Sequence, residues 1–380
     1  MIAVEQHPAG VSPPVHLDDA RIRTVQEITV PAQLLHDVPV PRSVAEFVHG
    51  ARGAISRILA GADPRLLVVV GPCSIHDVAA TLEYARWIRR VSREVGDALV
   101  IVMRVYLEKP RTRTGWKGLI NDPRLDGTFH IDEGLALARR LLLQVNTLGV
   151  PTATEFVDPI TPQYIGDLIS WAAIGARTTE SQVHRELASG LSCPVGFKNS
   201  TTGDVSVAVN AVIAARRAHH FLGVTKSGRA AIVSTTGNTD CHIILRGGPR
   251  PNYDGASVKA AVGQLMTEGV CPRVMVDCSH GNSAGDYRRQ LLVASEIARR
   301  RRDGCEHVCG VMVESNLIAG RQPFVSGGRP VPGLSITDPC LGIEDTGALL
   351  KELAAAGRPV DDRSAVSIHG YAHTHGEAPL

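Results

Sequence analysis

The run LLVVVGPCSIHD at residues 66–77 decides how the rest of the chain is read. It opens with five apolar residues, three of them valine, between Pro64 and Gly71-Pro72. A continuous apolar run of this length fits a strand buried on both faces, the form taken in parallel sheets. Beyond it the character changes at once, to Cys73, Ser74, His76 and Asp77. Asp77 then opens an amphipathic stretch over 77–95, which predicts a helix. The same unit recurs down the chain. Apolar runs at 66–70, 99–104, 152–155, 173–177, 195–198, 242–246, 273–277 and 308–314 predict strands. Helical patterns at 77–95, 132–148, 161–171, 179–191, 204–217, 257–268, 283–301 and 344–356 follow them in turn. Alternation of this kind implies a parallel sheet covered by helices, and eight units close naturally into a (β/α)8 barrel.

The flanks are less regular. Residues 1–17 show no period and predict a mobile arm. Residues 18–60 form an N-terminal extension suited to regulatory or oligomer contacts. Its first part, punctuated by Pro31, Pro39 and Pro41, reads as a short strand or helix packed on something larger. Its second part is a helix over 43–60 with Val44, Phe47, Val48, Ala51, Ile55 and Leu59 on one face. The barrel is expected over 61–356, with a hairpin inserted at about 219–236 from the runs 221–225 and 230–235 around Ser227-Gly228. Residues 357–380, with His369, His373 and His375, read as a solvated tail.

Composition narrows the class. Of 380 residues, 44% are hydrophobic and 21% charged, which is ordinary for a globular protein. A net charge of +2 argues against a nucleic-acid or membrane-surface protein, which would need a basic excess. No apolar run approaches the ~18–20 residues that span a bilayer, and Met1 to Pro14 lacks the pattern of a secretory signal. Eight cysteines without a CxxC pair suit a reducing cytoplasm.

In a barrel all strand ends point to one face, where catalysis sits. Here they carry Arg104, Glu155, Arg177, Lys198, Arg246 and Glu314, with Lys109 in the loop after the second strand. Five cations from five strand regions leave the mouth with uncompensated positive charge, which a ligand with anionic groups would relieve. Arginine suits phosphate and carboxylate through paired hydrogen bonds. Arg111, Thr112 and Arg113 add a second basic cluster, which points to a second phosphate. Cys73, His280, Glu314 and Asp338 come from the ends of strands one, seven and eight and from the closing loop, so closure of the barrel makes them neighbours. A thiolate, an imidazole and two carboxylates suit one divalent transition metal, Mn, Fe, Co or Zn, better than Ca or Mg.

Long stretches of this sequence resemble the class I (microbial, α-type) 3-deoxy-D-arabino-heptulosonate-7-phosphate (DAHP) synthases. The matching text is GPCSIHD at 71–77, MRVYLEKPRTRTGWKGLINDPRLDG at 103–127 and GARTTESQVHRELASGLSCPVGFKNSTTGD at 175–204. It continues with GNTDCHIILRGG at 237–248, DCSHGNS at 277–283, GVMVESNLIAG at 310–320 and SITDPCLGIEDT at 335–346. The resemblance implies condensation of phosphoenolpyruvate with erythrose 4-phosphate to DAHP and phosphate, the first step of the shikimate pathway. It implies Cys73, His280, Glu314 and Asp338 as metal ligands, and Arg104, Lys109, Glu155, Arg177, Lys198 and Arg246 around phosphoenolpyruvate. Erythrose 4-phosphate would lie along Lys109, Pro110, Arg111 and Thr112. Lys109, Arg177, Lys198 and His280 would be the catalytic groups, with Lys109 placed to give a proton to the new hydroxyl.

The resemblance also implies a feedback site for an aromatic amino acid. Asp18, Asp19, Pro162, Leu187, Leu191, Ser192, Phe221 and Val233 occupy matching positions, and the apolar ones read equally well as core. Position 223 is Gly and position 343 is Ile, where family members commonly carry a polar side chain and Trp. Phe, Tyr, Trp or no effector at all stay open, and a homodimer or homotetramer as assembly. Two rival readings remain: a related phosphoenolpyruvate–aldose condensation such as amino-DAHP synthesis, and a non-catalytic paralogue.

Overall fold

A computed structural model describes residues 17–357. The expected arm over 1–16 and tail over 358–380 lie outside the described residues. The barrel strands are β1 (Leu66–Gly71), β2 (Leu99–Arg104), β3 (Thr152–Glu155), β4 (Trp171–Ile174) and β5 (Val195–Lys198), then β8 (Cys241–Leu245), β9 (Val274–Asp277) and β10 (Val308–Glu314). They close in the order β1-β10-β9-β8-β5-β4-β3-β2, every pair parallel. Almost every strand residue is buried, which is why these segments read as unbroken apolar runs rather than alternating ones. The seam between first and last strands sets Gly71 opposite Glu314.

Helices α1 (Pro31–Asp37) and α2 (Arg42–Ala60) precede the barrel. Then α3 (Val78–Glu94), α4 (Ile131–Thr147), α5 (Pro162–Ile165), α6 (Gln182–Gly190), α7 (Ser206–Ala215), α8 (Gly255–Thr267), α9 (Arg289–Arg302) and α10 (Ile343–Ala355) cover it. Asp77 caps α3 by accepting from the Ala80 N–H at 3.0 Å, and Asp254 caps α8 through Ser257 N–H, as short acidic residues do at helix starts. The expected hairpin is present as β6 (His220–Val224) paired antiparallel with β7 (Ala230–Ser234), outside the barrel. The N-terminal extension is pinned beside it. Thr29 N–H donates to Asp132 at 3.0 Å, Tyr164 donates its hydroxyl to Thr29 O at 2.8 Å, and Ala32 N–H donates to Lys226 O at 2.7 Å.

Three sequence expectations shift. The helix expected over 161–171 stops after α5, and one 3-10 turn (Gly166–Leu168) follows. Its carbonyls are taken by side chains instead of by a continuing helix. Arg52 donates to Gly166 O and Ile169 O at 2.7 and 2.8 Å, and Asn146 and Thr152 both donate to Leu168 O. Trp171 therefore begins β4, and Arg177 lies in the loop beyond that strand. The helix expected from 283 begins at Arg289, because 280–288 winds into turns through Ser283 O, Asp286 N and Ser283 Oγ to His280 O. The segment left open as strand or helix contains α1.

Candidate active site

At the carboxyl ends of the barrel strands lies a cavity of about 380 Å³. It is lined by Lys109, Pro110, Arg111 and Thr112 of the loop after β2, Glu155 of β3, Arg177 beyond β4, Lys198 of β5, Arg246 beyond β8, and His280 and Asp338. Arg113, Thr114, Gly175, Ala176 and Thr201 complete the wall. Three expected site residues lie beneath this surface. Cys73, Arg104 and Glu314 are fully buried.

The sulfur of Cys73 and carboxylate oxygens of Glu314 and Asp338 all lie within 4.8 Å of one another. Cys73 Sγ is 3.5 Å from Asp338 Oδ2. His280 stands at the edge of this group, with Nε2 3.9 Å from Glu314 Oε1. Its Nδ1 is 2.9 Å from Asp277 Oδ2, a close charge contact rather than an aligned hydrogen bond. Facing Nδ1 to a buried carboxylate leaves Nε2 turned toward the Cys73, Glu314 and Asp338 group, an arrangement of the kind that orients metal-bound histidines. His280 itself adopts φ 56, a left-handed backbone conformation uncommon for a residue with a side chain.

The charges around the group are tightly balanced. Burial pushes the Cys73 thiol up to about 12, and Glu314 adds to that while Lys109 opposes it. Burial would also raise Glu314, but His280, Arg104 and Lys109 hold it down at about 2. Arg104 donates to Glu314 Oε1 at 3.2 Å and lies 3.9 Å above the Tyr106 ring. Ser279 Oγ donates to the other oxygen of Glu314 at 2.8 Å. Asp277 is held well below the usual carboxylate range, because His280 and Lys198 outweigh the effect of its burial. Lys198 Nζ donates to it at 2.9 Å.

Lys109 Nζ lies 3.2 Å from both the carbonyl oxygen and the sulfur of Cys73. Burial disfavours its ammonium, but the Cys73 sulfur, Glu314, Asp338 and Glu155 raise its pKa. Arg246 is different. Its buried Nε has no partner, and burial lowers its pKa despite Asp277, with Arg177 beside it adding to the effect. A guanidinium on the wall of a cationic cavity, with no protein partner at Nε, has the chemistry to receive an anionic group. Arg177 is partly engaged, its Nε donating to Thr112 Oγ1 at 3.0 Å.

Sequence reasoning missed the groups that hold these side chains still. Asp277 ends β9 beside His280, and its place between Lys198 and His280 was not visible from spacing. Asn199 accepts from the Arg246 N–H at 2.8 Å and from Asn252 at 3.2 Å, which fixes the chain at the end of β8. An asparagine after a strand carries no special signal in a single sequence.

A second cavity, of about 630 Å³, opens on the side of the barrel. Pro162, Leu187, Leu191, Ser192, Phe221 and Val233 line it, together with Gly223, Arg52, Asp167 and Lys226. Asp18 and Asp19 are exposed and do not line it.

A closed parallel barrel whose mouth gathers cations around a metal-competent cluster defines a (β/α)8 enzyme acting on anionic substrates. The model of the DAHP synthetase I family matches residues 37–351, and the chain belongs to that family. The Phe-sensitive phospho-2-dehydro-3-deoxyheptonate aldolase of Escherichia coli strain K12 is 54% identical over 339 residues, covering 89% of this chain and 97% of its own. The Trp-sensitive enzyme of that name from Salmonella typhimurium is 52% identical, covering 91% and 99%. The solved structure of the corresponding aldolase from Francisella tularensis SCHU S4 superposes with a TM-score of 0.86 at 48% identity, covering 88% of this chain and 98% of that one. Among the described residues no helix is long and apolar enough to cross a membrane.

Proposed function

We propose that this chain is a 3-deoxy-7-phosphoheptulonate synthase, joining phosphoenolpyruvate to D-erythrose 4-phosphate and releasing phosphate. The observation that carries this reading is the mouth cavity, where Lys109, Arg177, Lys198 and Arg246 converge beside a Cys/Glu/Asp cluster. Arg246 and Arg177 take the phosphate of phosphoenolpyruvate, with Lys198 and Arg104 toward its carboxylate. Fixed cations of this kind act by positioning and by stabilising charge as it develops. The erythrose phosphate lies along Pro110, Arg111 and Thr112, which places its aldehyde near Lys109.

The donor set fits a divalent transition metal. A buried thiol pushed up to about 12 needs a cation to become a thiolate, and two carboxylates and an imidazole nitrogen stand ready around it. When bound, the metal would supply Lewis acidity for the aldehyde oxygen. Mn, Fe, Co and Zn all suit the set. The chain's own groups do the rest. Lys109, kept protonated by the anions around it, donates to the oxygen that becomes the new hydroxyl. Glu155 faces the same cavity and orients the attacking water toward carbon 2. Asp277 holds His280 and Lys198 in place.

The side cavity is read as the feedback site for Phe, Tyr or Trp. Its apolar wall suits an aromatic ring, and Arg52, Asp167 and Lys226 offer charges for the amino-acid head. Residues 18–60 and the hairpin form a regulatory and assembly module on the barrel over 61–356. Leu222 and Ile232, 88% and 76% exposed on the hairpin, fit the contact surface of a homodimer or homotetramer. Eight free cysteines suit the cytoplasm.

The test is phosphate release from phosphoenolpyruvate by chelator-treated protein. Release is expected only with erythrose 4-phosphate present and Mn restored, and to be inhibited by one of the three amino acids. Release with another aldose but not this one would move the reading to a related condensation.

A further inference from the structure

Glu108 stands one residue before Lys109, yet it takes no part in the wall of the mouth cavity. Its carboxylate is buried and turned toward the next loop of the barrel. Oε1 accepts from the Asp158 N–H at 3.2 Å and Oε2 from the Val157 N–H at 3.4 Å, with the Thr161 hydroxyl as a further partner. Those three residues follow Glu155 of β3, and the same segment supplies Phe156, Pro159, Ile160 and Pro162 to the wall of the side cavity.

The segment is gripped from the other side as well. His184 Nε2 meets Val157 O at 2.9 Å, and its Nδ1 meets Ser181 Oγ at 2.9 Å. His184 belongs to α6, between Val183 and Leu187, and both of those line the side cavity. So Val157 is held by α6 through its carbonyl and by Glu108 through its N–H.

Glu108 cannot shift alone. Lys109 N–H donates to Lys117 O at 2.8 Å, and Ile120 N–H donates to Leu107 O at 3.2 Å, which closes 107–120 into one clasped loop. Gly118, at φ 113, approaches so closely that a Cβ there would sit 2.7 Å from the Glu108 Cα. Motion of Glu108 therefore moves the stretch bearing Lys109, Arg111 and Thr112. Burial pushes the Glu108 carboxyl up to about 8, with Asp158 adding to it, so near neutral pH it is mostly the uncharged acid, whose two oxygens still accept the Val157 and Asp158 N–H groups.

We infer that Glu108 is a positioning residue that couples the side cavity to the catalytic mouth, its two carboxyl oxygens tying the 107–120 loop to the 157–161 segment. The inference rests on the feedback reading of the side cavity. A filled cavity displaces Pro159–Pro162 or α6, Val157 and Asp158 follow, and Glu108 carries the displacement to Lys109.

The test compares wild type with Glu108→Gln, which keeps the shape but turns an amide N–H toward one of the two backbone donors. Whichever of Phe, Tyr or Trp inhibits the wild type is expected to bind the variant with affinity within about threefold by calorimetry. The coupling factor between that amino acid and phosphoenolpyruvate is expected to fall toward one from the roughly 5–150-fold range usual for allosteric sites. His184→Ala, on the far side of the segment, is expected to uncouple in the same way and serves if Glu108→Gln does not fold. Amide exchange gives the readout a purely structural role would not move. The effector should slow exchange over both 107–120 and 157–161 in wild type, over 157–161 alone in Glu108→Gln, and over neither as strongly in His184→Ala, where the Glu108 bonds to Val157 and Asp158 remain. Binding with undiminished coupling in Glu108→Gln, or in His184→Ala where Glu108→Gln does not fold, overturns the inference and leaves the feedback reading standing. A wild type that neither binds nor responds to the three amino acids overturns both.

Discussion

The two cavities are built by opposite rules. The mouth cavity draws its wall from the loop after β2 and from residues at or just beyond the ends of β3, β4, β5, β8 and β9, and holds Lys109, Arg177, Lys198 and Arg246 within about 380 Å³. The side cavity, about 630 Å³, draws its wall from α5, α6, the hairpin and α2, and is mainly apolar. In the first, barrel closure dictates convergence, so chemistry written at strand ends must meet. In the second, convergence depends on how separate elements pack. The first should fail by losing chemistry and the second by losing communication while chemistry continues.

The largest effect separating them is expected from Lys109→Met. Turnover should fall about 10²- to 10⁴-fold, the range for loss of a general acid, while calorimetry still shows phosphoenolpyruvate binding. Near-normal turnover would reduce Lys109 to an electrostatic contact. Asp277→Asn comes next. It leaves Lys198 and His280 facing a neutral amide in a buried site, so stability should fall by about 3–5 kcal/mol in denaturant titration. Metal affinity should fall about 10- to 100-fold, as for loss of a group that orients a ligand. A variant with unchanged affinity would detach Asp277 from the metal site.

A third measurement concerns pH. The Cys73 thiol, pushed up to about 12, carries its proton in the metal-free protein at neutral pH. Metal capture must release that proton, so Mn affinity should rise about tenfold per pH unit across neutrality. A flat profile would mean that the sulfur is not a ligand. The smallest effect belongs to the side cavity. Phe221→Ala should weaken the effector by about tenfold, from the loss of ~1.5 kcal/mol of apolar contact at a ring that is only partly buried, and leave turnover within about twofold of wild type. A large loss of turnover would break the division between the two regions.

That division also explains what could be read from the chain alone. The strands were legible because burial on both faces leaves no polar interruption, and their ends were legible because the polar residues begin there. Arg104, Lys198 and Glu314 needed only the barrel to be placed. The side cavity needed more. Leu187, Leu191, Phe221 and Val233 have the character of core residues, and only the hairpin folding against α6 makes a cavity of them. The break at Gly166 was illegible because its cause lies far away in sequence, in Arg52 and Asn146 reaching its carbonyls. Glu108 lies within the 103–127 stretch, and nothing in the order of residues says which way a side chain in a loop will turn.

The contact between Cys73 and Asp338 joins residues 265 apart in sequence, across the seam where β1 meets β10. Nearly the whole barrel must be synthesised before both are available. A chain still on the ribosome holds Cys73 early but lacks Glu314 and Asp338 until the end. Metal loading at this cluster would thus be a late event, and it would report that the ring has closed. Tying such distant points also removes the most freedom from the unfolded chain, because the entropy of closing a loop grows with its length. In this protein the catalytic ion would double as the buckle of the barrel.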